Sequence, residues 1–143
     1  MAGYMTILKS NVYDGSFVNG ADAPVENGTL MMLDSTGTKL VLPTAADKTT
    51  KFLCKEVTTL YDGMTAYDLM LTDCTKLYFL VENQFDINDS EAYDTTKYAT
   101  PVGELLRAHP IEIGETMRVT SSETLTAGTS YGVKATGVVG ETL

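Results

Sequence analysis

The chain has 143 residues, 43% of them hydrophobic, which suits one domain able to bury a core without metal or disulfide staples. Lysine and arginine number 10 against 19 acidic residues, and the formal net charge of -9 argues against nucleic acid or an anionic membrane as partner. With 1 histidine, 2 cysteines and no tryptophan, little material for catalysis is present, so an enzyme is not expected.

Residues 1–25 mix Tyr4, Met5, Ile7, Val12, Tyr13, Phe17 and Val18 with Asn, Asp, Gly and Ser, without a long alternation. Asn19-Gly20 and Ala23-Pro24 then break the chain. This reads as an extended N-terminal arm with one short strand, packed along its own domain or reaching to a neighbour. Residues 26–143 read as a single β-rich domain. Thr29–Leu33 and Thr38–Leu42 flank the turn Asp34-Ser35-Thr36-Gly37 and predict a hairpin, ended by Pro43, which cannot donate to a ladder. Further strands are predicted at Phe52–Thr58, Thr65–Leu71 and Leu77–Glu82. The run Leu77-Tyr78-Phe79-Leu80-Val81 is apolar on both faces and is expected to be the most buried.

Residues 84–98 form the longest candidate loop, polar and acidic. Thr100-Pro101 is compatible with a short helix through Arg107, but a strand at Glu104–Ala108 is the preferred reading. Thr116, Arg118 and Thr120 alternate with Met117, Val119 and Ser121, the pattern of a strand with one wet and one dry face. Tyr131–Thr136 is a last predicted strand. No window supports a long amphipathic helix. The expected fold is mostly β: a small single-domain β-sandwich or β-barrel-like fold with an N-terminal arm and at most one short helix.

The motifs that carry chemistry are missing or incomplete. Asp34-Ser35-Thr36-Gly37 has one residue too many for the Asp-Thr/Ser-Gly turn of aspartic proteases and reads as a plain β-turn. Asp86–Glu91 begins like a calcium loop, yet Glu91 stands where the sixth-position glycine belongs and Lys97 where the twelfth-position glutamate belongs. His109 has no nucleophile elbow to serve, and no glycine-rich phosphate loop exists. Cys54 and Cys74 make no zinc-ligand spacing, and whether they pair is open. Tyr61, Tyr67, Tyr78, Tyr93, Tyr98 and Tyr131 offer a weak case for a sugar-stacking face against the commoner cross-strand packing. No catalytic, metal or cofactor-binding residue is expected. The N-terminus lacks a signal-peptide pattern and no apolar run reaches membrane length, so synthesis and assembly in a cytoplasm are expected.

Two segments carry a family resemblance. Glu26-Asn27-Gly28-Thr29-Leu30, with Leu33-Asp34 and Leu40-Val41-Leu42-Pro43, resembles head decoration proteins of tailed bacteriophages. So does Val102-Gly103-Glu104-Leu105-Leu106-Arg107-Ala108 followed by Pro110-Ile111-Glu112-Ile113-Gly114-Glu115. The resemblance implies a non-catalytic cement protein on the outer surface of an expanded capsid. Its implied partners are the major capsid protein and further copies of itself, with a trimer favoured, and no cofactor. It gives the N-terminal arm a role, so that Tyr4, Met5, Ile7, Val12, Tyr13, Phe17 and Val18 become the candidate capsid contacts. The alternatives are another virion β-module, in the tail tube or baseplate, or a module that binds carbohydrate or a cell surface.

Overall fold

The computed structural model describes residues 2–7, 15–60, 63–82, 99–121 and 123–143. The strands in chain order are β1 (Ala2–Ile7), β2 (Gly15–Asn19), β3 (Leu30–Leu33), β4 (Lys39–Val41), β5 (Asp47–Thr59) and β6 (Thr65–Asp73). They continue with β7 (Phe79–Val81), β8 (Leu105–Pro110), β9 (Thr116–Ser121), β10 (Ser130–Val133) and β11 (Val139–Thr142). Strand accounts for 53% of the structure, and no helix occurs among the described residues. The strands divide into a closed barrel in the order β2-β4-β3-β7-β8 and a six-stranded sheet in the order β1-β9-β6-β5-β10-β11. The mostly β fold expected from composition is the fold observed, a small single-domain β structure with a barrel in it.

Alternation along each barrel strand creates two faces. Met31, Leu40, Phe79, Val81, Leu106 and Ala108 point inward, and Phe17 packs against them. The Phe17 and Phe79 rings meet edge-on, with centroids 5.0 Å apart and planes at 63°. Leu30, Leu80 and Tyr78 belong instead to the second core, where they meet Phe52, Leu69, Leu71, Met117 and Val119 of the sheet. The sheet therefore packs on the outside of one barrel wall.

Three polar features fasten this seam. The Leu30 amide donates to the Gly137 carbonyl at 2.8 Å, joining barrel strand β3 to the β10–β11 turn. Gly137 has φ +80, and a Cβ there would lie 2.6 Å from the Leu30 carbonyl oxygen, so only glycine allows the approach. The Leu71 amide and carbonyl bond the Glu115 carbonyl and the Gly114 amide, tying β6 to the β8–β9 connection. Tyr78 Oη donates to Asp47 Oδ2 at 2.7 Å, linking the start of β5 to the residue preceding β7.

Several local expectations differ from the structure. Residues 1–25 hold two strands, not one, each hydrogen-bonded within this chain: β1 to β9, and β2 to both β4 and β8. β5 begins at Asp47, ahead of the expected Phe52, because Asp47 pins Thr49 and Thr50 locally while Val133 pairs with it across the ladder. The apolar run from Leu77 is shorter as a strand, and Leu77 itself is 53% exposed at the barrel's rim. The segment after Thr100 is strand and turn, as preferred over helix. In β9 the supposed wet face is covered in part: Thr120 and its cross-strand neighbour Ala66 are both buried, as is Asp68, partner of Arg118. β11 was not expected, since Gly140 and Glu141 hide its alternation. The acidic loop at 84–98 lies outside the described residues.

Candidate functional site: the uncovered barrel wall

The barrel has one wall under the sheet and one that the sheet does not reach. The uncovered wall is built by β2, β4 and the start of β8. Val18 pairs with Leu105 on one side and with Lys39 on the other. Their chain neighbours Phe17, Leu106 and Leu40 point into the barrel core, so Val18, Leu105 and Lys39 point outward in one lateral row. Leu105 is 71% exposed and Val102, three residues earlier, is 51% exposed.

The loop that carries Val102 is set by Asn19, which is buried. Its Nδ2 donates to the Thr100 carbonyl at 2.9 Å and its Oδ1 accepts from the Ala21 amide at 2.9 Å. Its main chain donates to the Glu104 carbonyl and accepts from the Gly103 amide, both at 2.9 Å. A buried amide with this many partners holds two loops in one relation, which is the usual reason for burying an asparagine. The Val25–Thr100 bridge secures the same loops on their far side. Asn19-Gly20 ends β2, and the structure makes Asn19 an anchor as well.

The contact residues proposed from sequence fall in three groups. Tyr4, Met5 and Ile7 lie on β1, the edge strand of the sheet. Val12 and Tyr13 lie outside the described residues. Phe17 and Val18 sit on β2 with opposite directions, Phe17 lining the barrel core and Val18 facing outward. Phe17 and Val18 therefore do not share a face. Leu105 and Val102, which complete the wall around Val18, stand out in sequence only as apolar residues flanking Gly103-Glu104.

Other groups with chemical potential are occupied by the fold. The Asp47 carboxylate accepts five hydrogen bonds, from the amides and hydroxyls of Thr49 and Thr50 and from Tyr78 Oη. Burial alone would raise its pKa, but the donors from Thr49, Tyr78 and Thr50 outweigh it and hold the carboxyl well below the usual carboxylate range. Burial and the bond to Asp47 push the Tyr78 phenol well above its ordinary value. Asp34 accepts from Thr36 Oγ1 at 2.8 Å and from the Thr38 and Lys39 amides, which lowers its pKa and closes the β3–β4 hairpin.

His109 Nε2, on β8, lies 2.7 Å from Oε2 of Glu82, the residue after β7, an ion pair when the imidazole is protonated. Cys54 and Cys74 are both free, and burial followed by the nearby Asp68 charge pushes the Cys54 thiol up. Tyr67 and Tyr78 are buried, and Tyr131 packs against the shared core. Tyr61, Tyr93, Tyr98 and the Asp86–Glu91 segment lie outside the described residues.

A cleft of about 350 Å³ opens beside the β3–β4 hairpin, lined by Met32, Leu33, Val41, Pro43, Ala45 and Lys76 among others. Its acid, Asp34, already spends its oxygens on its own turn. No group of three or more His, Cys, Asp or Glu that could hold a metal ion occurs among the described residues. The wall around Val18 and Leu105 is thus the candidate for contact, and what it offers is apolar area. No protein-family model, curated protein or solved structure matches this chain.

Proposed function

We propose that this protein is a structural virion component that binds the outer surface of an expanded tailed-phage capsid and clamps adjacent capsomers. The observation that carries the reading is the meeting of the two resembling segments. The Glu26–Pro43 stretch supplies β3 and β4, the Val102–Glu115 stretch supplies β8, and β2 bonds to both β4 and β8. Segments far apart in sequence, each with the same resemblance, build one barrel and share its uncovered wall.

A clamp needs surface that is rigid before it binds. The Asn19 contacts and the closed ladder supply that, lowering the ordering cost of association. Barrel closure also leaves β2, β4 and β8 without a free edge, so contacts on this wall are made by side chains. The candidate contacts on residues 1–25 are retained at Tyr4, Met5, Ile7, Val12, Tyr13 and Val18, with Phe17 assigned to packing. The proposed partner is the major capsid protein and the proposed location is the head exterior, after assembly in the bacterial cytoplasm.

The test is co-sedimentation with expanded, undecorated heads. Saturable binding at a fixed ratio to capsid protein is the expected result. Absence of binding to intact heads, with labelled antibody found on tails, would overturn it in favour of a tail or baseplate module.

A further inference from the structure

We propose that the cleft beside the β3–β4 hairpin is a binding site for a small carboxylate with an apolar tail, the tail lying on the cleft floor and the carboxylate on Lys76. The cleft stands where the two cores meet. Met32 packs against the shared core and Leu42 against the barrel core, and both line it. Met32 pairs across the ladder with Val41, and the buried Pro43 adds to the same lining. Three stretches of chain therefore wall the space: the hairpin, the connection from β4 to β5, and Lys76 from the connection between β6 and β7. Its volume of about 350 Å³ suits a small ligand, since such sites run from roughly 300 to 1,000 Å³. A mostly apolar lining with a few polar groups is also what such sites show, and a methionine there adapts to the shape of a tail.

Charge selects the ligand. Only two charged residues line the cleft, Asp34 and Lys76. Asp34 Oδ1 accepts from the Thr36 hydroxyl and from the Thr38 and Lys39 amides, and Oδ2 accepts from the same hydroxyl at 3.0 Å. Asp47, next in the chain to the lining residue Ala46, is likewise committed to Thr49, Thr50 and Tyr78. Lys76 differs from both. It is exposed and makes no ion pair or side-chain hydrogen bond among the described residues. An incoming carboxylate gives that ammonium a partner, whereas an incoming ammonium meets it as a like charge and finds Asp34 already engaged. A doubly charged phosphate would leave one charge unmatched beside Asp34. This inference does not rest on the capsid reading, and its test uses no heads.

Hexanoate titrated into the full chain tests it, read by the methionine-methyl NMR signals, with hexan-1-ol and hexylammonium as probes carrying the same tail. The Met32 signal is assigned through Met32→Leu, a change that nearly conserves volume. Hexanoate is expected to shift it saturably, with a dissociation constant on the order of 1 mM. Hexan-1-ol should bind more weakly, and hexylammonium most weakly of the three. Lys76→Met should raise the hexanoate constant about fivefold, the most an exposed ion pair usually supplies, and leave that of hexan-1-ol unchanged. Circular dichroism of Lys76→Met should match wild type, because the side chain is exposed and belongs to neither core. No saturable shift of Met32 by about 20 mM hexanoate, well above a millimolar constant, overturns the proposal. So do equal affinities for hexanoate and hexylammonium, or a Lys76→Met protein that binds hexanoate as wild type does.

Discussion

The barrel and the sheet are both antiparallel-rich β structures, but they secure their cores differently. The barrel encloses its own: Met31, Leu40, Phe79, Val81, Leu106 and Ala108 face one another, and each of its strands has two neighbours. The sheet has two edges, β1 and β11, and no core that it does not share. Phe52, Leu69, Leu71, Met117 and Val119 share one buried cluster with Leu30, Tyr78 and Leu80 of the barrel. The lesson is one of dependence. A closed barrel can persist with the sheet loosened, whereas the sheet's inner face needs the barrel wall.

That comparison predicts an order of effects. The largest is Phe52→Ala, which empties a fully buried site in the shared core and should cost about 3–5 kcal/mol. Native-state hydrogen exchange should then show β5, β6 and β9 amides opening well before those of β4 and β8. Uniform acceleration across both regions would instead mean a single cooperative unit and would break the comparison.

Next comes the seam. Asp47→Ala removes the carboxylate that accepts from the Tyr78 phenol and the buried Thr50 hydroxyl, and should cost about 2–3 kcal/mol near neutral pH. The sign of its pH dependence follows from the lowered carboxyl pKa. The stabilisation is present above the unfolded value, about 4, and is lost as pH falls toward the folded one. The difference between wild type and Asp47→Ala in urea titrations should therefore shrink below about pH 4. A gap that widens in acid would show that Asp47 does not act as the buried carboxylate described. The smallest effect belongs to the Lys134–Glu123 pair, 2.8 Å apart on the sheet side and about a third exposed on both partners. Lys134→Ala should leave the denaturation midpoint within scatter, since water screens such pairs.

How far the chain could be read before folding depended on whether a feature was local. The β3–β4 hairpin was legible because Asp34, Thr36 and Gly37 close a turn through neighbours in sequence, and Gly37 has the positive φ its position requires. The faces of β9 were half legible. Met117 and Val119 are buried as their alternation implies, but Thr120 is buried too, and Asp68 takes a bidentate contact from Arg118 at 2.7 and 3.1 Å. A covered polar face with internal pairing has the same alternation as a wet one. The candidate site was less legible still: Val18 was singled out, Leu105 was not, and Phe17 turned inward.

From sequence alone came the β class, the strand-forming segments at 29–42, 65–71 and 116–121, and the acidic balance. Alternation, β-branched content, turn residues and charge are local or summed properties, and they survive without knowledge of pairing. Only the tertiary structure decided that β2 lies between β4 and β8, that Asp47 meets Tyr78, and that the sheet packs on one barrel wall and not on the other. Those facts depend on contacts across long stretches of chain. The free energy of such a contact belongs to a pair of residues, and neither member of the pair records it in its own neighbourhood.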